Sequence, residues 1–271
     1  MSSVATWRVA LVTGAARGIG AATVRALAAD GWSVLAVDGT EDDAAIPYRL
    51  ATKTDLETVV SEAAGLAGRA DRIAAFVADV RDADALAAAV ATAESRWGGL
   101  DAAVGCAGVI AGGVPQWEVP LAQEQAVLDI DLGGVLNLAR AAVPALLRRP
   151  EPRSGRFLAV ASAAATRGLP MLAAYCAAKA GVAGLIRSLA VELGSSGVTA
   201  NAVSPGSTDT PILAASAQLY SLASPEDFAA NQPAGRLLAP AEIAAVLAFL
   251  AGPGSSGMTG AVVPVDGGLA L

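Results

Sequence analysis

The sequence predicts a doubly wound α/β fold, a Rossmann fold in which a parallel sheet of seven strands carries helices on both faces. Short β-branched runs alternate with longer Ala- and Leu-rich stretches of helical period along the 271 residues. This alternation implies right-handed crossovers between parallel strands. Apolar residues make up 54% of the chain and few are aromatic, which is typical of helices packed on a buried sheet. We find no internal repeat or linker, which favours a single domain over residues 1–271.

The elements are predicted in order from the β-branched runs and the helical stretches between them. The strands are predicted at Arg8–Val12, Ser33–Val37, Arg72–Val77, Asp101–Val104, Arg156–Ala161, Val198–Val203 and Ala261–Val265. The helices are predicted at Gly18–Asp30, Asp55–Leu66, Ala83–Arg96, Leu121–Leu147, Leu172–Leu193 and Pro240–Leu250. The run Thr54-Asp55-Leu56-Glu57 indicates a capping box that opens the second helix. Two segments look like additions, an insertion at 39–70 and a stretch at 207–238.

Composition argues against several classes of function. The net charge of −7 disfavours nucleic-acid binding, because an acidic chain repels phosphate backbones. Histidine is absent and only Cys106 and Cys176 are cysteines, which excludes a His/Cys metal site and a Ser-His-Asp mechanism. The amino-terminal residues lack the pattern of a secretory signal, and the apolar stretches are too short to span a membrane. We therefore expect a cytoplasmic protein that binds neither nucleic acid, membrane nor metal.

A glycine-rich loop, TGAARGIG at residues 13–20, lies between the first predicted strand and the first predicted helix. Glycines allow a sharp turn and a close approach of the backbone to a pyrophosphate. The helix that follows offers free N–H groups and the positive end of its dipole to the phosphates. An ordinary glycine-rich turn is the alternative, but the position between strand and helix favours dinucleotide binding.

Asp38 stands at the end of the second predicted strand. A carboxylate there accepts hydrogen bonds from the ribose 2′-hydroxyl and repels a 2′-phosphate, which favours NAD over NADP. Arg17 acts in the opposite direction, because a cation in the glycine loop could pair with that phosphate. We give Asp38 the greater weight because its charge would lie against the discriminating group. A plain turn residue before Gly39 is the alternative for Asp38.

Tyr175 and Lys179 form the motif YCAAK on a predicted helix, and their spacing places both side chains on one face. Ser162 follows the preceding strand, close to where such a sheet opens its ligand crevice. The ammonium would stabilise a phenolate and lower the pKa of Tyr175, which suits an acid/base group. The serine hydroxyl could hold a carbonyl oxygen. The Tyr-x-x-x-Lys pattern alone is a common accident, so it gains meaning only with the rest of the chain.

Together these motifs resemble the short-chain dehydrogenase/reductase family, in order and along nearly the whole chain. The matching pieces are TGAARGIG at 13–20, Asp38, ADV at 78–80, CAG at 106–108, Ser162, YCAAK at 175–179, NAVSPGST at 201–208 and VDGG at 265–268. The resemblance implies an NAD-dependent oxidoreductase acting on CH–OH groups. It also implies a homotetramer built from helices such as Leu121–Leu147 and Leu172–Leu193.

The resemblance also implies a role for each matching position. Cofactor contacts are implied for Gly14, Arg17, Gly18, Ile19 and Gly20 at the glycine loop, Asp79 and Val80 at the adenine, Ala107 and Gly108 at the adenosine ribose, and Pro205, Gly206 and Thr208 at the nicotinamide end. Ser162 would orient the substrate oxygen and Tyr175 would transfer the proton. Lys179 would bind the nicotinamide ribose and tune Tyr175.

Two positions depart from the family pattern. Gly105 and Cys106 stand where the family has two asparagines before Ala-Gly, and we interpret Cys106 as a small packing residue rather than a reactive thiol. Asp131 stands where the family has an asparagine that helps to hold a water in a proton relay to the lysine, largely through its backbone carbonyl. Asp131 could keep that carbonyl role, but an ionised side chain there cannot donate a hydrogen bond.

The insertion carries a narrower resemblance. The segments PYRLATKTDLETVV at 47–60, GLPMLAAY at 168–175 and PGSTDTP at 205–211 are similar to those of a carveol dehydrogenase-like actinobacterial branch coupled to the redox carrier mycofactocin. Members of that branch hold NAD so firmly that it does not exchange. An insertion folded over the adenosine end would slow release of the cofactor. A decorated surface loop is the alternative.

The substrate end is predicted to be apolar. The 207–238 segment covers the substrate in this family, and its apolar side chains here are Ile212, Leu213, Leu219, Tyr220, Leu222 and Phe228, to which Met171 and Leu172 add. Such linings favour a hydrophobic secondary alcohol or its ketone, although the same residues could pack on the core or on a neighbouring subunit. An NADPH-dependent ketoacyl or carbonyl reductase and a non-catalytic dinucleotide-sensing protein are the alternative functions.

Overall fold

The computed structural model describes residues 7–271, which form a parallel sheet of seven strands in the order β3-β2-β1-β4-β5-β6-β7. The strands are β1 Val9–Thr13, β2 Ser33–Asp38, β3 Ile73–Val77, β4 Ala102–Gly105, β5 Arg156–Val160, β6 Thr199–Pro205 and β7 Val262–Val265. Each begins and ends within two residues of its prediction. Residues 1–6, part of the predicted domain 1–271 and of the start interpreted as lacking a secretory signal, lie outside the described residues.

The helices cover both faces of the sheet, as predicted. They are α1 Gly18–Ala29, α2 Lys53–Ala67, α3 Ala83–Trp97, α4 Leu121–Leu128, α5 Gly134–Arg148, α6 Ala173–Leu193, α7 Pro211–Leu219 and α8 Pro240–Ala251. One face carries α1, α2 and α8, and the other carries α3 to α6. Side chains of β1 alternate between these layers, with Leu11 packed in one and Val12 in the other. Both faces are therefore buried, which explains why the strands are continuously apolar.

The strand order creates a crevice beside β1. The chain moves from β1 to β2 and β3 on one side and then returns to place β4 on the other side of β1. The chain therefore leaves β1 and β4 in opposite directions at the carboxyl end of the sheet, which is where doubly wound folds bind their ligands. The glycine loop follows β1, and residues 106–108 follow β4. The fold thus brings the predicted cofactor motifs to one place.

The expectation that the apolar stretches are too short to span a membrane was wrong in length. Among residues 7–271, two helical stretches, Leu121–Arg148 and Ala173–Leu193, are long and apolar enough by length and composition to cross one. Each buries one side in the core, as Leu138 of α5 and Val182 of α6 illustrate. Core helices of a globular α/β domain have this character.

The capping box lies two residues earlier than predicted. Helix α2 begins at Lys53, the Thr52 side chain accepts from the Asp55 N–H, and the Asp55 carboxylate accepts from the Thr52 N–H at 2.7 Å. The prediction from Thr54 and Glu57 was therefore wrong in register. Both pairs have the required spacing, and the pair that forms is the one whose carboxylate also binds Arg17, at 2.7 Å from Oδ2 to Nη2.

Two further elements differ from the prediction. The helix predicted at Leu121–Leu147 is interrupted by a π-helical turn, Asp129–Gly133, between α4 and α5. Such turns are frequent at functional sites, and this one carries Asp131. The 207–238 segment contains a helix that was not predicted, α7, which Thr210 caps and Pro211 begins.

Candidate active site

One cavity of about 680 Å³ opens at the carboxyl ends of the strands. It is lined by nearly all of the predicted site residues, namely Gly14, Arg17, Gly18, Ile19, Gly20, Asp38, Asp79, Val80, Ala107, Gly108, Ser162, Tyr175, Lys179, Pro205, Gly206 and Thr208. The exception is Asp131, which is fully buried behind the cavity wall. A volume of this size suits a cofactor or a drug-sized ligand.

The glycine loop has the shape that a bound pyrophosphate requires. Gly14 and Gly18 have φ angles of +64° and +51°, in the left-handed region that favours glycine. A Cβ on Gly14 would lie 2.5 Å from the Ala107 nitrogen, and one on Gly20 would overlap the Gly14 carbonyl oxygen. The loop after β1 therefore touches, backbone to backbone, both the loop after β4 and the start of α1. This cradle fits a dinucleotide, because its N–H groups remain accessible at a helix N-terminus.

The charges near the predicted adenosine end are arranged around Asp38. Its carboxylate accepts a hydrogen bond from the Ala16 N–H at 2.9 Å, and burial raises the pKa of Asp38. Arg17, which we expected to act against Asp38, instead pairs with Asp55 and also donates to the Arg49 carbonyl. The positive charge of Arg17 is thus already compensated within the protein.

Tyr175 and Lys179 lie on one face of α6, as their spacing predicts. The Lys179 ammonium is 5.5 Å from the centroid of the Tyr175 ring and donates to the Val160 carbonyl at 3.3 Å. Ser162 begins the turn after β5, where its hydroxyl accepts from the Ala164 N–H at 3.1 Å. The three side chains therefore meet in the same part of the cavity.

The ionisation of Tyr175 differs from the expectation. Burial raises the pKa of Tyr175 above its ordinary value, and Asp131 adds to the rise. The Lys179 ammonium and a hydrogen bond with Ser162 lower the pKa, but they do not outweigh burial. The expected influence of Lys179 is present, while the net shift of the pKa in the protein alone is upward.

Asp131 reaches the site through its side chain, whereas the family pattern suggested that it could act through its backbone carbonyl. Its Oδ1 accepts from the Val109 N–H at 2.7 Å, and its Oδ2 lies 3.2 Å from the Lys179 ammonium. Asp131 lies on the π-helical turn, which contacts α6. The backbone-carbonyl role of Asp131 stays a prediction.

Tyr48 is a site residue that the sequence pattern did not single out. Residues 39–52, here called the strap, carry it across the cavity, where its hydroxyl accepts from the buried Ile110 N–H at 3.0 Å. Tyr48 and Tyr175 both pack against a small core formed by Ile110, Leu172 and Ala215. A lone aromatic residue in a polar insertion was the only available signal, and nothing in the local spacing indicates where it lands.

Cys106 is a packing residue. It contacts the core layer that holds α1 and α8, and burial raises the pKa of its thiol to about 12. A thiol with so high a pKa is a poor nucleophile at neutral pH. Within residues 7–271, no cluster of three or more His, Cys, Asp or Glu side chains could hold a metal ion.

The substrate end of the cavity is largely apolar. Of the predicted lining residues, the cavity is bordered by Leu172, Ile212, Leu213, Tyr220, Leu222 and Phe228. Leu219 instead packs against a small core formed by Ile110, Leu172 and Ala215. Both readings of this segment therefore hold in part, because some of its side chains line the cavity and others pack on the core.

Comparison with known proteins identifies relatives over the full fold. A family model described as Enoyl-(Acyl carrier protein) reductase matches residues 14–270. The cis-4-hydroxycyclohexanecarboxylate dehydrogenase of Sinomonas cyclohexanicum is 39% identical, with 96% of each chain covered. The NAD complex of carveol dehydrogenase from Mycobacterium avium superposes with a TM-score of 0.90 at 30% identity, covering 98% of both chains. An actinorhodin polyketide ketoreductase with NADPH superposes with a TM-score of 0.86 at 31% identity, covering 97% of both chains.

Proposed function

Because the chain belongs to the short-chain dehydrogenase/reductase family and is an oxidoreductase acting on CH–OH groups, we propose that it interconverts a hydrophobic secondary alcohol and its ketone with NAD. One observation supports this most strongly. A single cavity carries a glycine cradle with Asp38 at one end and Tyr175 with Lys179 at the other. The apolar side chains beside Tyr175 suit an alcohol with a hydrophobic body.

Each of the catalytic residues then has a separate role in the reaction. When bound, NAD supplies the hydride acceptor for alcohol oxidation and the hydride donor for ketone reduction. Ser162 orients the substrate oxygen by a hydrogen bond, and Tyr175 takes the hydroxyl proton in oxidation or returns it in reduction. Lys179 holds the nicotinamide ribose and stabilises the phenolate. The strap and α7 border the cavity, and exclusion of water by a bound substrate would strengthen these electrostatic contacts.

The charges at the adenosine end support NAD over NADP. Asp38 would repel a 2′-phosphate. Arg17, which could otherwise attract that phosphate, is already paired with Asp55. We expect at least a roughly tenfold preference for NADH over NADPH, equivalent to about 1.4 kcal/mol. Side-by-side fluorescence titrations measure it. Asp38→Asn should reduce the preference, whereas Asp30→Asn, an exposed change at the end of α1, should not. A clear preference for NADPH would instead support a ketoacyl or carbonyl reductase.

Turnover on a panel of cyclic and acyclic secondary alcohols distinguishes an enzyme from a non-catalytic dinucleotide sensor. We expect oxidation of apolar cyclic alcohols, because the substrate end of the cavity is lined by Leu172, Ile212 and Phe228. Binding of NAD without turnover of any alcohol or ketone in the panel would support the sensor.

We further propose a cytoplasmic homotetramer. Both cysteines are free thiols, which suits a reducing compartment. The helices expected at the subunit contacts expose apolar side chains, with Leu136 of α5 42% exposed and Val191 of α6 83% exposed. Light scattering of the purified protein measures the assembly.

We also propose that the strap retains NAD between turnovers and that mycofactocin reoxidises it in place. Three contacts hold the strap and the start of α2 against loops that line the cavity. Arg17 binds Asp55 at 2.7 Å where the strap meets α2, Arg81 binds Asp43 at 2.6 Å, and the Ile110 N–H binds Tyr48 at 3.0 Å. These loops follow β1, β3 and β4. Release of a dinucleotide from under the strap requires the contacts to open together.

Tyr48→Phe is expected to accelerate NAD release about tenfold, because the buried Ile110 N–H loses its partner at a cost of about 1–3 kcal/mol. The measurement is the rate at which nucleotide leaves the purified protein during dialysis against charcoal. Glu62→Gln is the control. It removes the exposed ion pair between Glu62 of α2 and Arg25 of α1, which lies away from the cavity. Protein that purifies empty and turns over freely with added NAD would contradict the retention proposal.

A further inference from the structure

Asp131 is a buried carboxylate that no bound ligand can reach from the cavity. It is 0% exposed on the π-helical turn. Its Oδ1 is satisfied by the Val109 N–H, whereas its Oδ2 has no hydrogen-bond partner other than its contact with the Lys179 ammonium at 3.2 Å. A carboxylate buried without a counter-charge would be strongly destabilising. Burial raises the pKa of Asp131, and the Lys179 ammonium and the Val109 N–H act against that rise and favour the ionised carboxylate.

The pairing also acts on Lys179. That side chain is 4% exposed, and burial alone would favour the neutral amine. Asp131 and Tyr175 both raise the pKa of Lys179, and together they outweigh the lowering by burial, so the amine is charged. The price is that the ammonium and carboxylate present almost no net charge to their surroundings, because opposite charges this close largely cancel at a distance. Tyr175, whose ring lies 5.5 Å from the ammonium, is within that field.

We propose that Asp131 is a positioning residue that acts through Lys179: it holds the ammonium in place and cancels much of its charge at Tyr175, and so sets the pH at which Tyr175 acts as a base. This role presupposes Tyr175 as the base of the proposed reaction. An amide at position 131 would leave the ammonium uncompensated and would favour the phenolate more strongly. The chain thus places its proton-transfer step at a higher pH than a protein with asparagine there.

Other titratable groups face the same centre. They are Tyr48 from the strap, Cys106 from the loop after β4 and Cys176 beside Tyr175 on α6. Burial raises the pKa of Tyr48 and of Cys106, so both stay neutral over the range in which the enzyme works. A Cys176→Ser background removes the remaining thiol from the comparison.

The test is an ultraviolet titration of phenolate formation in that background, with the Tyr175→Phe variant subtracted to isolate Tyr175. Asp131→Asn should move the midpoint of Tyr175 downward by about one pH unit, which corresponds to about 1.4 kcal/mol. Asp129→Asn is the matched control, because Asp129 lies on the same turn and bonds to Gln125 rather than to Lys179. A midpoint that stays in place or rises with Asp131→Asn would overturn the proposal.

Asparagine can still accept from the Val109 N–H, so the turn is expected to fold. If it does not, Asp131→Ser removes the same charge with a smaller side chain and should move the midpoint in the same direction. The pH dependence of kcat/KM for alcohol oxidation should shift downward together with the optical midpoint. An optical shift in a protein that oxidises no alcohol would leave the role of Asp131 in place and would overturn the proposed function instead.

Discussion

Replacing Tyr175 with phenylalanine is expected to reduce turnover by a factor of about 10²–10⁴, the range that general acid–base catalysis contributes. The substitution removes one oxygen and keeps the ring, which packs against the core. Ser162 and Lys179 remain, but neither is placed to accept the hydroxyl proton of an alcohol in its stead. Steady-state rates with a saturating alcohol, measured from nicotinamide absorbance, give the size of the loss.

Two measurements separate this loss from a structural one. NAD binding and thermal stability of Tyr175→Phe should stay close to those of the unmodified protein, because the cradle and the core are unchanged. Tyr220→Phe is the control, since the Tyr220 hydroxyl lies at the same cavity but donates to the Pro170 carbonyl at 2.7 Å. Activity of Tyr175→Phe near that of Tyr220→Phe would refute the role of Tyr175.

Gly20→Ala is expected to weaken NAD binding by at least about 100-fold, or about 2.7 kcal/mol. The added methyl group would overlap the Gly14 carbonyl oxygen. Because that neighbour is backbone rather than a flexible side chain, α1 or the turn before it must move. Either movement takes the N–H groups away from the pyrophosphate that they are shaped to bind. Isothermal calorimetry with NAD measures the affinity.

Gly65→Ala provides a matched control for Gly20→Ala. Gly65 also lies in a helix, α2, but a Cβ there has no neighbour within 4 Å. It should leave NAD binding unchanged and stabilise the helix by up to about 1 kcal/mol. If both alanine variants bind NAD normally, the backbone contact between α1 and the Gly14 turn is not needed for binding.

The parts of the structure that the sequence predicts are those set by local spacing. The seven strands, the glycine turn and the shared face of Tyr175 and Lys179 follow from runs of a few residues whose period is fixed by strand or helix geometry. Their neighbours in the sheet then follow from the rules for parallel crossovers. The cavity therefore lies where the motifs predict it.

The parts that the sequence does not predict depend on contacts between distant residues. Asp131 meets Lys179 only because a π-helical turn replaces part of a continuous helix, and no residue pattern distinguished that turn from regular α-helix. Tyr48 reaches Ile110 across 62 positions of sequence. The capping box forms with Asp55, whose carboxylate also binds Arg17, 38 positions away in the sequence. In each case tertiary contacts decide between locally equivalent options.

If the strap retains NAD as proposed, that retention has a kinetic consequence. An enzyme that does not release its dinucleotide cannot replace reduced cofactor with oxidised cofactor from solution. The alcohol and the external electron acceptor must then bind at the substrate end of the cavity one after the other, and the ketone must leave before the acceptor binds. Initial rates measured against both should give parallel double-reciprocal lines, the signature of a substituted-enzyme scheme, in contrast to the intersecting lines of an ordered ternary complex.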